Sequence, residues 1–104
     1  MWTTDQRKQR HLMYLENKDG DIDGAVARVG WVTFSKSRRT VYYRGRRLQR
    51  AKGGGIGGNY FDVNTGETYW VSGVKRRESN AHPTCTVQVL VDEDAQEEYA
   101  RIRA

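Results

Sequence analysis

The sequence predicts a small, mainly β domain with one C-terminal helix. Three observations carry that reading. Short apolar and aromatic runs alternate in period two over 28–48, 59–73 and 84–91. Eleven Gly and a single Pro supply turns between them without making the chain Pro-rich. The last dozen residues switch to a helical spacing, with Ala95, Tyr99 and Ile102 on one stripe.

In chain order, Met1–His11 has no period and reads as a flexible arm, leaving 12–104 as a single domain. Leu12–Leu15 reads as the first strand, and NKDGDIDG (17–24) as a polar loop with two Asp-Gly steps. Arg28–Ser35 reads as a strand with bulk on both faces. A polar turn at 36–39 leads into a strand predicted over Thr40–Leu48. There Val41 and Tyr43 face the core, and Tyr42, Arg44, Arg46 and Leu48 face the other way. KGGGIGG (52–58) reads as a flexible connector. NYFDVNTGETYWVSG (59–73) is a hairpin: the pairs Tyr60-Phe61 and Tyr69-Trp70 flank a turn whose Gly66 can take φ > 0. Thr84–Val91 alternates cleanly. The helix is expected from about Glu93 to Arg103, with Asp94 and Glu97 in a capping-box-like start.

About six strands and one helix imply a small bent antiparallel sheet or partly open barrel, SH3-like or OB-like, with an open sheet under the helix as the alternative. Apolar residues make up only 37% of the chain, so aromatics must fill much of the core. The expected core is Trp31, Phe34, Val41, Tyr43, Phe61, Trp70, Val87, Val89 and Val91; the pattern does not decide whether Tyr69 or Trp70 lies deeper.

Several segments are specific enough to carry a resemblance. YLENKDGDIDG, ARVGWVTFSKSRRTVYYRGRRLQ, GNYFDVNTGETYWVSGVKR and VLVDEDAQEEYARIR resemble a family of small uncharacterised bacterial proteins of about this length, over roughly Tyr14 to Arg103. Some members carry the name 1-deoxy-D-xylulose-5-phosphate synthase. That name implies thiamine diphosphate gripped between large domains, a site a β domain of this size cannot supply. The resemblance carries over no functional residue.

Most chemical motifs fail on their context. Asp19, Asp21 and Asp23 with Gly24 match the first half of an EF-hand loop, but its twelfth position is Gly30 instead of a bidentate Glu. Gly53, Gly55 and Gly58 fit G-x-G-x-x-G without a following helix. His82 and Cys85, with His11, are too few for a structural zinc site. Ser35, Ser37, Ser72 and Ser79 have no evident base, and Asp62 with Glu67 reads as a solvated turn pair. A non-enzymatic protein without metal or cofactor is expected.

Charge is the informative feature. The net charge is +5, yet residues 36–52 hold eight basic side chains and no acid. Lys36, Arg38, Arg39, Arg44, Arg46, Arg47, Arg50 and Lys52, with Tyr42 beside Arg44 and Arg46, are the candidate nucleic-acid-binding residues. Cations interleaved with an aromatic on a β face suit a single strand. The expected function is a non-catalytic binding module for an anionic partner, RNA or single-stranded DNA. A protein-interaction module meeting an acidic protein is the alternative. Cys85 is the single cysteine, and no apolar run reaches membrane-spanning length, which points to a cytoplasmic protein without a membrane partner.

Overall fold

The computed structural model describes residues 10–55, 58–76 and 89–104, with only the backbone of 52–55. The strands are β1 (His11–Asn17), β2 (Ala27–Phe34), β3 (Thr40–Tyr43), β4 (Arg46–Gly55), β5 (Gly58–Asp62), β6 (Thr68–Gly73) and β7 (Val89–Val91). A 3-10 turn over Glu93–Ala95 runs into helix α1 (Gln96–Arg103). β1 to β6 pair antiparallel in chain order, and β1 pairs with β6 as well, so the barrel expected from the strand count is fully closed. No helix among the described residues is long and apolar enough to cross a membrane.

Closure gives every strand an inner and an outer face. Met13 and Leu15 of β1, Val32 and Phe34 of β2, Val41 and Tyr43 of β3, Leu48 of β4, Tyr60 of β5, and Tyr69 and Val71 of β6 point inward and pack together. Ile22, from the loop after β1, joins them fully buried. Outward residues of β1 and β2 form a second cluster: Tyr14, Ala27 and Val29, packed by Trp70, Val89, Val91 and Tyr99. β7 pairs in parallel with the start of β2, at Ala27 to Val29, so β7 and α1 cover this side of the barrel.

Four expectations on the fold are corrected. Thr40–Leu48 is two strands, because Arg44 and Gly45 both take positive φ, 47° and 78°, and form a two-residue hairpin turn between β3 and β4. That backbone twist matches the twist of flanking strands, and Gly45 enters it without steric cost. The connector at 52–58 is strand where it is described: β4 extends to Gly55 and β5 starts at Gly58. Tyr69 is the deep member of its pair, at 0% exposure, whereas Trp70, Trp31, Phe34 and Phe61 are half-buried. His11 belongs to β1 instead of to an arm. Val87, His82, Cys85 and most of the strand expected over 84–91 lie outside the described residues, as do residues 1–9.

Candidate nucleic-acid interface

The outer face of the barrel differs around its circumference. β7 and α1 cover β1 and the first half of β2, but Tyr42, Arg47 and Gln49, on the outer faces of β3 and β4, are exposed. Register aligns them: Thr33 stands opposite Tyr42, Tyr42 opposite Arg47, and Thr40 opposite Gln49. Tyr42 keeps 42% of its surface open, a large fraction for an aromatic on a sheet.

A groove of about 420 Å³ lies where one edge of β2 passes from β7 to β3. Trp31, Thr33 and Tyr42 line it together with the turn residues Arg44 and Gly45, then Arg46 and Arg47, and Asp92 and Asp94 from the start of the helical segment. Odd-numbered residues of β2 point outward, which puts Trp31 on this face and not in the core. Its indole N–H donates to the Asp94 carbonyl at 2.9 Å, and the Arg10 guanidinium stacks 4.0 Å from the ring centroid.

Beneath the groove is a buried polar network that the sequence pattern did not reveal. Arg28 has the inward register of Val32 and Phe34 but is 7% exposed. Its Nε donates to the Ile22 carbonyl at 2.6 Å, and its Nη2 to the Asp23 carbonyl at 2.7 Å. Its Nη1 pairs with Asp92 Oδ1 at 2.9 Å. The other Asp92 oxygen accepts the Tyr43 hydroxyl and lies 3.8 Å from Arg44 Nη1. Burial, then the hydrogen bond to the Asp92 carboxylate, raises the Tyr43 pKa far above its ordinary value. Gly30 makes room for the meeting: a Cβ there would stand 2.7 Å from the Tyr43 ring and would also collide with Asp92. Asp92 therefore locks the helical segment to the barrel, and its backbone N–H donates to the Val29 carbonyl at 2.9 Å.

A second bridge joins two turn tips. Asp23 takes φ 50° in the turn before β2 and faces the β3–β4 turn. Arg44 Nε lies 2.7 Å from Asp23 Oδ2, and Arg46 Nη2 lies 2.9 Å from Oδ1. Hydrogen bonds from Arg46 and then Arg44 hold the Asp23 pKa well below the usual carboxylate range. The same bonds raise both arginines.

These contacts divide the predicted cations. Arg44 sits in a turn and Arg46 on the inward register of β4, so they do not share the outer face with Tyr42, and both are paired with Asp23. Lys36, Arg38, Arg39, Arg47 and Arg50 are exposed and form no ion pair among the described residues. Arg38 stacks toward Phe34 at 5.4 Å. Arg39 and Arg50 are brought side by side, the Arg50 N–H donating to the Arg39 carbonyl at 2.8 Å. With Gln49 they line a smaller hollow of about 270 Å³. The side chain of Lys52 lies outside the described residues.

The other candidates resolve into turn chemistry. Asp19 accepts the Thr68 N–H at 2.7 Å, and Asp23 is engaged by arginines. Among the described residues no group of three or more His, Cys, Asp or Glu side chains is placed to hold a metal ion. Asp62 accepts the Asn64 N–H at 2.8 Å, and Glu67 accepts the Thr65 hydroxyl at 3.1 Å, so each fixes its own turn. The expected Asp94 cap is absent: neither the 3-10 turn nor α1 has a side-chain cap hydrogen bond. Compared with protein-family models, curated proteins and solved structures, the chain matches none.

Proposed function

We propose that the protein is a non-catalytic binding module that holds single-stranded RNA or DNA on the outer face of β2, β3 and β4. The observation that carries this reading is Tyr42, 42% exposed and flanked in register by Thr33 and by Arg47, which forms no ion pair among the described residues. An aromatic platform beside cations that track a backbone suits a single strand, because every base offers a π face and every nucleotide a phosphate. Arg47 stands beside Tyr42 on the outer face of β4, the exposed Arg39 and Arg50 adjoin each other where β3 begins, and Lys36 and Arg38 lie at the β2–β3 turn. Arg44 and Arg46 share the Asp23 carboxylate and contribute less.

The test is fluorescence anisotropy with labelled mixed-sequence single-stranded RNA and DNA at several salt concentrations. Three to five cations meeting phosphates give a log–log salt slope of about −2 to −3.5. Arg47→Glu weakens binding and flattens the slope without changing the circular dichroism spectrum, since its side chain lies outside the core. Absence of binding even at low salt overturns the proposal. Preference for an acidic polypeptide in competition would instead favour a protein partner.

A further inference from the structure

Trp31 is an aromatic residue held in place on the outside of the protein. Its neighbours on the two adjoining strands differ. The β1–β2 register places Leu12 opposite Trp31, and its continuation brings Arg10 beside Thr33, diagonal to Trp31. From that side the Arg10 guanidinium covers the indole at 4.0 Å. On the other side Tyr42 stands opposite Thr33, and so is also diagonal to Trp31. Arg10 does not line the groove, whereas Trp31 and Tyr42 both do. A cation thus backs the indole from the β1 side, and the indole and Tyr42 line the same groove.

The spacing of that gap follows from sheet geometry. Diagonal cross-strand neighbours lie about 7–8 Å apart, their Cβ atoms somewhat closer. Aromatic carbons pack best at about 3.5–4.0 Å, so one planar ring stacked between two others needs about twice that distance. A gap of this order takes at most one flat ring. The indole is held in place, because its N–H is fixed on the Asp94 carbonyl at 2.9 Å and Arg10 stacks on the ring. The groove of about 420 Å³ falls within the roughly 300–1,000 Å³ of ordinary ligand pockets. Its walls are unequal in charge. Arg47 lines it without an ion-pair partner among the described residues, while Asp94 and Asp92 line the side of the helical segment. An anionic substituent on the ring is directed away from the carboxylates and toward Arg47.

We infer that the slot between Trp31 and Tyr42 takes one nucleobase, sandwiched between the two side chains, with the phosphate of the same nucleotide on Arg47. The inference rests on the single-strand reading and deepens it, by making Trp31 a binding residue and by fixing one nucleotide in a built site.

Two measurements test it. Adenosine 5′-monophosphate is titrated into the wild-type protein while tryptophan fluorescence is followed, with ribose 5-phosphate as the control that lacks a base. Binding of an oligoadenylate 12-mer is then measured for wild type, Trp31→Leu and Tyr42→Leu. Circular dichroism and urea denaturation establish that each variant is folded. Tyr42 is exposed, so its variant keeps the test decisive if Trp31→Leu is unstable.

The nucleotide should quench the emission, ribose 5-phosphate should not, and Trp31→Leu should lose the quench. Each variant should bind the 12-mer about 5- to 150-fold more weakly, with an unchanged salt slope because no cation is removed. If the 12-mer binds wild type and both folded variants equally, the slot is wrong and the single-strand reading stands. If the 12-mer does not bind but the nucleotide quenches through Trp31, the slot stands as a nucleotide site and the single-strand reading falls. If neither binds, both are overturned.

Discussion

Asp92→Asn tests what fixes the groove's wall to the barrel. The substitution keeps side-chain volume and removes the charge that faces Arg28 in a setting where the two side chains are 6% and 9% exposed. Removing one partner of a buried pair typically costs ~3–5 kcal/mol, because the other charge is left uncompensated. Two features reduce that here. Arg28 keeps the carbonyls of Ile22 and Asp23, and the new amide oxygen can still accept one hydrogen bond. The expected loss is therefore about 2–4 kcal/mol. A domain of this size has roughly 5–15 kcal/mol in all, so the variant folds with a visibly lower urea midpoint and an unchanged m-value. Arg28→Met on its own should also destabilise. The double variant should regain part of the combined loss, because removing both charges leaves neither one stranded. A loss below about 1 kcal/mol, or strict additivity, would refute the claim that Asp92 and Arg28 lock the helical segment in place.

Three further outcomes follow from the same contacts. Gly30→Ala pushes a Cβ into Tyr43 and Asp92 and should cost about 1–3 kcal/mol in chemical denaturation; a neutral result would mean that this packing is loose. Burial raises the pKa of Tyr43 and of Tyr69, so both phenols hold their protons more tightly in the folded chain than in the unfolded one. Stability is then fully present below the ordinary tyrosine value of 10.0 and falls as pH rises past it; absorbance at 295 nm should report these two phenolates only as the fold opens. Asp23→Asn suits the positive φ of that turn and releases Arg44 and Arg46, so single-strand affinity should rise and the salt slope should steepen by about 1.4 if both reach phosphates. An unchanged slope would exclude them from the contact.

The aromatic hairpin was legible because its signal is local: alternating large residues around a turn with Gly66. The β3–β4 turn was not. Asn-Gly and Asp-Gly advertise a two-residue hairpin, whereas Arg44-Gly45 is hidden inside a basic run whose flanking residues continue the alternation. Missing that turn merged two strands and put Arg44 and Arg46 on the face of Tyr42, where neither stands. The core was read correctly at Val41 and Tyr43, and missed at Tyr14, Leu15 and Ile22, since burial of a loop isoleucine depends on which barrel end the loop crosses. Trp31 and Trp70 stand on the outer face, which alternation alone does not distinguish from the inner one when both faces of a strand carry bulk. The buried Arg28 did leave a trace, as a charged residue in phase with Val32 and Phe34. Its partner lies 64 residues away, a pairing no local pattern encodes.

The central claim is that the outer face of β2, β3 and β4 is the binding surface. Amide and indole chemical-shift mapping on the labelled protein, titrated with a short mixed-sequence single-stranded DNA at low salt, tests it most directly. Shifts are expected at the Trp31 indole N–H and at the amides of Thr33, Tyr42, Arg47 and Gln49, fading as salt is added. The covered side, at Tyr14, Val29 and Tyr99, should stay still. Shifts centred on that covered side, or none on any face, would contradict it.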